Sequence, residues 1–421
     1  MKKFTLATLV ALATSSFGQG WTGDVGTIGP SATTLTFQQG LGSLAIQANS
    51  VGSNVPIFFG PNLLCPKVPT LLAGSEFSIG RPMLTLSKPA TLVLNYSTRS
   101  LPVGTVETAL RVYNLVNHKW TLVGGTVNTV NKTVTTTITR AGTYALLAST
   151  GNALNAENLL VQVFGNVSQP QNEWFSVDTL DLTSDSNIFP IGRSIERKFE
   201  AAISPAYNAI FTTRREPTGT YSVYSTNADG SHPVRLTSVS AQAITNVAIS
   251  GDGRFVCFSA YVGGSFSVYK MNADGTSIST IATGLAGNGE GVPIALNAAG
   301  TQLSIGIGNT VRVVTTATGV TVRTVTIAAG ATKIKGLSYN AAGLILAVTT
   351  DTGLYTVTAS SGAAALREAS TDFGSQVVWS PDGTKIAVKY INQIDVLKLS
   401  PKTWYDAVFP ATPGEFWLYW R

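Results

Sequence analysis

The sequence predicts an all-β protein in which an N-terminal β-sandwich is followed by a C-terminal β-propeller with six blades of four strands. Three observations predict this fold class. Short runs of β-branched and aromatic residues recur between Gly, Pro and Asn clusters along the 421-residue chain. Two series of turns that end in glycine alternate through its second part. No stretch has the apolar period of an α-helix of useful length.

The composition excludes several classes of protein. Charged residues make up 12% of the chain, about half the usual share, while hydrophobic residues make up 44%. A disordered chain combines high charge with low hydrophobicity, so disorder is excluded for most of the sequence. After the first twenty residues no apolar run approaches the ~18–20 residues that span a bilayer, so no transmembrane segment is predicted once the leader is removed.

Residues 1–18 have the layout of a cleavable bacterial signal peptide. Lys2 and Lys3 precede an apolar stretch of about ten residues, and small residues lead to Gly18. The sequence therefore predicts a secreted, periplasmic or cell-surface protein. Loss of the two lysines lowers the formal charge from +6 to +4. A surplus this small gives no strong field for nucleic acid, so no nucleic-acid partner is predicted.

The segment from Trp21 to Ala148 is predicted to be the sandwich. About eight short strands are expected, including Ala90 to Tyr96, Leu110 to Tyr113 and Thr133 to Thr139. Within the last of these, threonines at every second position alternate with Val134 and Ile138. This alternation predicts an antiparallel sheet with one face in water.

The order of motifs in this segment resembles the ZU5-like β-sandwich modules of extracellular bacterial proteins. The resemblance rests chiefly on Ser87-Lys88-Pro89-Ala90-Thr91-Leu92, Leu101-Pro102-Val103-Gly104, Leu110-Arg111-Val112-Tyr113, Trp120, Gly124-Gly125-Thr126-Val127 and Ala141-Gly142-Thr143-Tyr144. Some ZU5 domains cleave themselves at a His-Phe-Ser tripeptide. This chain has Glu76-Phe77-Ser78 without the histidine, so self-cleavage is not predicted.

Residues 149–158 are small and mostly polar and are predicted to be a linker. Beyond them the chain repeats. One series of turns ends in Gly253, Gly300, Gly343 and Gly383, and a second series ends in Gly230, Gly275, Gly319 and Gly362. Each turn joins two strands, and the two series interleave at about 40–45 residues. Four strands in each repeat are typical of a propeller blade.

Aligned repeats predict the packing of the blades. Three and five residues after each glycine of the first series the residues are large and apolar, and between them lie Cys257, Ser304, Ala347 and Ala387. Such a column of small residues is expected where neighbouring blades crowd together. Cys257 is therefore interpreted as a small core residue, and a bridge to Cys65, in the other unit, is not expected.

The turns Ser380-Pro381-Asp382-Gly383 and Asn272-Ala273-Asp274-Gly275 resemble the repeats of TolB-like, WD40-like propellers. The resemblance covers residues 159–421 and implies six blades. Five units begin near Phe199, Ile244, Gly291, Ile334 and Gln376, and a sixth is assembled from residues 159–164 and 174–191.

No catalytic, cofactor-binding or metal-binding residues are predicted. His118 and His232 lack the partners of a hydrolytic triad or a zinc site. Turn carboxylates such as Asp252, Asp274 and Asp382 are expected to accept hydrogen bonds from local amides. The same holds for Asp229, and the group Asp178, Asp181 and Asp185 lacks the spacing of a calcium loop.

The C-terminal segment is rich in aromatic residues. A closing strand, in the terminal blade or against the sandwich, is the structural interpretation. The functional interpretation is an aromatic contact surface for a glycan or a partner, formed by Trp404, Trp417, Tyr419 and Trp420.

Few residues are available for chemistry, so the sequence favours a non-catalytic binding or scaffolding protein. It would use the propeller face or axial channel to contact a protein or glycan of the cell envelope. The alternatives are a polysaccharide hydrolase or lyase with carboxylates in the axial channel, and a component of a TolB-like envelope complex.

Overall fold

A computed structural model describes most of the chain after residue 23. The described residues are 24–37, 40–62, 65, 70–80, 83–102, 105–116, 119–148, 158–163, 172–178, 188–194, 201–204, 209–227, 233–288, 291–390, 393–407 and 416–420. They include no α-helix, and a short 3-10 turn lies at Glu107–Ala109. The chain divides into two compact units, one comprising residues 20–156 with 204–209 and the other built from residues 157–203 and 210–421. The predicted signal peptide and most of the predicted linker lie outside the described residues.

The first unit contains eleven described strands. They are β1 (Asp24–Ile28), β2 (Thr33–Thr36), β3 (Gly42–Ile46), β4 (Val55–Pro61), β5 (Phe77–Gly80), β6 (Thr85–Asn95), β7 (Leu110–Val116), β8 (Lys119–Gly124), β9 (Thr126–Asn128), β10 (Thr133–Arg140) and β11 (Gly142–Ala148). One sheet has the order β1-β4-β5-β11-β7-β8 and the other the order β2-β3-β6-β10-β9, with all pairs antiparallel. The sequence predicts about eight strands, and the additional ones include the short β5 and β9.

The two sheets of the first unit share one apolar core. Phe37, which directly follows β2, stacks on Phe77 of the other sheet with ring centroids 3.9 Å apart, and Phe59 packs beside both rings. All three are buried. The predicted β-sandwich is therefore observed as two sheets with a common interior.

The six-stranded sheet is buried on its second face as well. A separate apolar cluster there contains Cys65, Tyr113 and Trp120. Beside it, Asn62 donates hydrogen bonds to Ser78 Oγ (3.0 Å) and Thr143 Oγ1 (2.8 Å). Because both faces are covered, β11 shows almost continuous burial instead of alternation.

The five-stranded sheet has one face in water, as the alternation in β10 predicts. Val134 and Ile138 are buried, whereas Thr135, Thr137 and Thr139 are exposed. The register of this strand is therefore fixed by its apolar face.

The second unit contains 24 described strands. They are β12 (Asn158–Val163), β13 (Asn172–Asp178), β14 (Ile188–Ser194), β15 (Ala201–Ser204), β16 (Ala209–Arg215), β17 (Tyr221–Asn227), β18 (Val234–Arg235), β19 (Ala243–Ile249), β20 (Phe255–Val262), β21 (Ser265–Asn272), β22 (Ser279–Leu285), β23 (Ile294–Leu296), β24 (Gln302–Ile307), β25 (Thr310–Thr315), β26 (Thr321–Thr326), β27 (Ile334–Tyr339), β28 (Ile345–Thr350), β29 (Gly353–Thr358), β30 (Ala364–Ala369), β31 (Phe373–Trp379), β32 (Lys385–Tyr390), β33 (Gln393–Leu399), β34 (Lys402–Ala407) and β35 (Phe416–Trp420).

These strands form six four-stranded sheets within the described residues. Five sheets each consist of four consecutive strands, from β15 to β34. The sixth has the order β14-β13-β12-β35, so the last described strand completes the first sheet of this unit. Strand β35 is thus a closing strand, as one interpretation of the sequence holds, but it pairs with β12 and not with a strand of the terminal repeat.

The packing between the sheets follows the columns seen in the sequence. The residues three, four and five positions after Gly253, Gly300, Gly343 and Gly383 are all buried, with at most 2% of each of these twelve residues exposed. Cys257 of one sheet packs with Leu303 and Ile305 of the next, and Ala347 packs in the same way with Ile386 and Val388. In these two pairs of sheets, the large side chains of one sheet therefore pack on the small residue of the preceding sheet.

From β19 onwards, the first strands of neighbouring sheets lie against one another. This holds for β19 with β23, β23 with β27 and β27 with β31, and β35 continues the series beside β31. Contacts of this kind are expected where the innermost strands of propeller blades meet around an axis. The predicted all-β class with a sandwich and a propeller is confirmed.

Candidate binding surface

The antiparallel sheets of the second unit define two ends. Turns after the first and third strands emerge at one end, and those after the second and fourth strands emerge at the other. We name the first end the turn face; its described residues are 233, 250–254, 273–278, 297–301, 316–320, 340–344, 359–363, 380–384 and 400–401. We name the second end the connection face; its described residues are 216–220, 236–242, 263–264, 286–288, 291–293, 308–309, 327–333, 351–352 and 370–372.

The turn face satisfies its own polar groups. Ser380 Oγ accepts a hydrogen bond from the amide five residues later (2.8 Å), and Asp382 Oδ1 accepts one from the amide two residues later (2.9 Å). Asp252 and Asp274 accept equivalent amide hydrogen bonds at 3.0 Å. Where the turn begins with Asn340, its side-chain oxygen accepts from the amides four and five residues later. The predicted role of these three turn carboxylates is confirmed.

The turns are also packed against the preceding sheet. Gly319 has a φ of +71°, and a Cβ there would lie 2.5 Å from the carbonyl oxygen of Ile281 in the fourth strand of that sheet. At Gly300, with a φ of +69°, a Cβ would lie 2.7 Å from the Phe255 ring. Both positions need glycine for its backbone conformation and for its lack of a side chain. The turn face is therefore a closed surface with little freedom to vary.

The connection face is built differently. Its longer segments join the fourth strand of one sheet to the first strand of the next and share no turn motif in sequence. Their described residues are 236–242, 286–288, 291–293 and 327–333. Longer connections of this kind vary most freely in sequence and carry binding residues in many folds.

The side chains of Lys335 and Asn288 tie the described connections to the innermost strands. Lys335 Nζ donates to the carbonyl oxygens of Thr371 (2.9 Å) and Phe373 (2.8 Å), which joins β27 to the start of β31. Asn288 donates its side-chain amide to the carbonyl of Ile334. These hydrogen bonds link the connection that precedes β23 to the innermost strand β27, and they link β27 to the start of β31.

Asp351 fixes the connection that precedes β27. It accepts hydrogen bonds from the amides of Thr332 (3.0 Å) and Lys333 (3.4 Å), and also from the Thr332 hydroxyl. Partial burial alone would raise the pKa of this carboxyl, but the hydrogen bonds outweigh burial and lower the pKa below its ordinary value. Asp351 is therefore an ionised structural anchor at neutral pH.

Polar side chains without internal partners lie on the innermost strands near this end. Ser375 is exposed, and Asn246 and Gln376 are half-buried. Among the described residues, none of these three side chains forms a hydrogen bond. Their amide and hydroxyl groups can therefore donate to, and accept from, a molecule at the end of the axis.

The innermost strands offer no paired carboxylates. The first strands β15, β19, β23, β27 and β31, with the closing strand β35, contain Lys335 as their one charged residue and no Asp or Glu. A glycosidase requires two carboxylates about 5–10 Å apart. In these strands the catalytic alternative has no residues to carry it.

The predicted aromatic surface is divided between two strands. Trp404 lies in β34, where its ring stacks on Phe373 at 6.1 Å and its Nε1 donates to Glu368 Oε2 (3.0 Å). Trp417, Tyr419 and Trp420 lie in the innermost strand β35. Trp404 thus joins two adjacent sheets, and an aromatic contact surface that uses all four residues stays a prediction.

The remaining candidate residues are placed as follows. Cys65 and Cys257 are buried free thiols, and burial raises the pKa of Cys257 to about 12. His118, His232 and Asp229 lie outside the described residues, as do Asp181 and Asp185, while Asp178 ends strand β13.

In the part of the chain that the structure describes, no group of three or more His, Cys, Asp or Glu side chains could hold a metal ion. No helix there is long and apolar enough to cross a membrane.

Comparison with known proteins finds similarity of architecture only. No family model matches the chain, and no curated protein matches it. Similar solved structures include TolB from Acinetobacter baumannii, with a TM-score of 0.47, 13% identity, and coverage of 62% of this chain and 66% of that one. A putative TolB from Agrobacterium tumefaciens has a TM-score of 0.45 and 13% identity, covering 63% of this chain and 99% of the other.

A nidogen/laminin complex is similar to the same degree, with a TM-score of 0.49, 13% identity, and coverage of 62% of this chain and 97% of that chain. Similarity at this level of identity and TM-score does not assign the chain to a family.

Proposed function

We propose that this protein is a non-catalytic binding or scaffolding protein of the bacterial envelope or exterior, and that the connection face around the propeller axis contacts a protein or glycan partner. The six sheets are interpreted as six blades around one axis, with the blade that contains β35 closing the ring. Residues 21–148 are interpreted as a ZU5-like module and residues 159–421 as a TolB-like propeller.

The contrast between the two ends of the propeller carries this proposal. On the turn face, the polar side chains accept hydrogen bonds from amides of their own turns, and the turns pack closely against the preceding sheet. The connection face combines longer, non-repeating segments with the unpaired side chains of Asn246, Ser375 and Gln376. Specific contacts need polar groups that are free and held on a rigid frame, and Lys335 and Asp351 supply that frame.

The first test is a pull-down of the tagged, full-length mature protein, cross-linked in its own envelope fraction and analysed by mass spectrometry and sugar analysis. We expect one dominant protein or glycan. The double variant Ser375→Arg/Gln376→Arg should lower its recovery about tenfold, because two bulky charges would replace small neutral contacts. Recovery of nothing specific from the wild-type protein would contradict the proposal.

The matched control is Ala299→Arg/Ala342→Arg, which adds the same charges at two exposed positions of the turn face. This control should recover the partner as the wild-type protein does. Equal losses in both variants would show that charge alone, and not the connection face, determines the result.

Export is the second part of the proposal and rests on the signal-like residues 1–18. N-terminal sequencing of the protein purified from its source should begin near Gln19. A mature protein that keeps Lys2 and Lys3 would overturn the assignment to the envelope or exterior.

A further inference from the structure

The water-facing side of the five-stranded sheet has an unusual composition. One row crosses all five strands and consists of Thr36, Ser43, Val93, Thr135 and Thr126, each directly opposite the next. All five side chains are neutral, and the three threonines are exposed. The row has no aromatic and no charged member.

A second row runs beside the first across four strands. Its members are Thr34, Ala45, Thr91 and Thr137, again paired directly from strand to strand. Neighbouring strands lie ~4.8 Å apart, and residues two apart in one strand lie ~6.8 Å apart. We name these two rows the threonine face; it presents hydroxyl and methyl groups on a regular two-dimensional grid.

The hydroxyl groups of the threonine face are available. Among the described residues, no side chain in either row forms a hydrogen bond, whereas the neighbouring Ser87 and Gln47 use theirs on backbone carbonyls. Threonine is stiff at χ1, so little rotamer entropy is lost when such a hydroxyl is held by a ligand. Binding at this face would therefore lose little side-chain conformational entropy.

The chemistry of this face selects its occupant. A face without charge gives no attraction to an anionic polymer, and unpaired hydroxyls would be costly to bury against a dry apolar surface. A neutral polysaccharide supplies hydroxyls for the threonine hydroxyls and C–H groups for the methyl groups, and its repeat engages several positions of the grid at once. We propose that the threonine face is a binding surface for an uncharged polysaccharide, independent of the connection face.

The test is retention of the full-length mature protein on three insoluble neutral polysaccharides, microcrystalline cellulose, chitin and curdlan, with pectate gel as an anionic comparison. We expect retention on at least one neutral polymer that exceeds retention on pectate. The variant Thr135→Lys/Thr137→Lys should bind about tenfold more weakly. No retention on any of the neutral polymers would overturn the proposal.

Two further variants separate this surface from other effects. Thr324→Lys/Thr326→Lys adds the same charges to exposed threonines of propeller strand β26 and should bind normally. Thr135→Val/Thr137→Val keeps the shape and the strand propensity and removes the hydroxyls, so it should also bind weakly. Unchanged retention of the valine variant, or equal loss in the β26 variant, would refute the hydroxyl contact.

The turn-face variant Ala299→Arg/Ala342→Arg, which touches neither proposed surface, should be retained as well as the wild-type protein. Loss of retention in this variant alone would place polysaccharide binding on the propeller and would overturn the assignment to the threonine face.

Discussion

The two units build their sheets from different parts of the sequence. In the propeller, the sheets from β15 to β34 each use four consecutive strands, so nearly every pairing is local. In the sandwich, β11 pairs with β5 and β7, and β6 pairs with β3 and β10, which lie far apart in the chain. Local pairing leaves a repeat that can be recognised in the sequence, whereas distant pairing leaves only strand signals without partners.

The largest expected effects come from core truncations that separate the two units. Phe77→Ala in the sandwich and Phe258→Ala in the propeller each remove a buried ring, at a cost of ~3–5 kcal/mol in the free energy of unfolding. Hydrogen exchange read by mass spectrometry should show lost protection within residues 24–148 for the first variant and within residues 209–407 for the second. Loss across both units in either variant would contradict independent cores.

A smaller effect is expected where blades meet. Ala347→Leu should destabilise the propeller by ~1–3 kcal/mol, because the added atoms collide with Ile386 and Val388 of the next sheet. Ala347→Cys is the control, since Cys257 occupies the same column in an earlier blade. Urea denaturation should place the cysteine variant close to the wild-type protein; equal losses would show that the column does not require small residues.

Turn capping should show a difference between the units. Asn340→Ala removes two amide hydrogen bonds in a turn packed between blades, so we expect a loss of ~1–2 kcal/mol. Asn128 of the sandwich accepts two amide hydrogen bonds in an exposed turn, and Asn128→Ala should cost less than ~1 kcal/mol. Thermal unfolding measures both, and Asn340→Asp, which keeps the acceptor, should recover most of the stability. If Asn128→Ala lowered the free energy of unfolding more than Asn340→Ala, packing of the turn between sheets would not determine the effect of its cap.

The smallest effect is expected at the partly exposed ion pair between β30 and β34. Lys402 lies 2.9 Å from Glu368 and, with Trp404, lowers the pKa of Glu368 below its ordinary value. The pair contributes its stability above the unfolded-state pKa of ~4.3 and loses it as the pH falls through the lower folded-state pKa.

Glu368→Gln should therefore cost at most ~0.5 kcal/mol at pH 7, since the Glu368 and Lys402 side chains are 37% and 54% exposed. The difference from the wild-type protein should shrink as the pH is lowered through the acid range in a series of thermal unfolding curves. The sandwich variant Glu107→Gln removes the contact to Lys132 (2.7 Å) and should show the same sign, because Lys132 and Tyr96 lower the pKa of Glu107. A difference that grows toward low pH would contradict the sign of both shifts.

Much of the propeller could be predicted because its determinants are close in sequence. The turn caps of Asp252 and Asp382 and the position of Ala347 relative to its turn glycine each depend on residues a few positions apart. In the sandwich, the alternation in β10 is equally local. Periodicity therefore revealed both strands and buried faces before any tertiary contact was known. The same reasoning missed β1, β5 and β9 of the sandwich; β5 and β9 have only four and three residues, too few for a periodic signal.

The candidate surfaces were less accessible to sequence reasoning. The aromatic residues were the visible signal, yet Trp404 donates a hydrogen bond to Glu368 of the preceding sheet and stacks on Phe373 of its own sheet. Ser375 and Gln376 carried no signal at all, since only their place on an innermost strand distinguishes them. The threonine face was visible in β10 alone; its extension over five strands depends on cross-strand register, which joins residues up to about a hundred positions apart.

The sequence by itself determined the all-β class, the repeat and its register, and the alternation of buried and exposed positions, because these depend on local spacing and side-chain size. The tertiary structure decided which strand β35 completes, which end of the propeller keeps free polar groups, and which threonines share one face. Those outcomes depend on pairings between distant segments, and the free energy of such pairings is a property of the assembled sheets and not of any one segment.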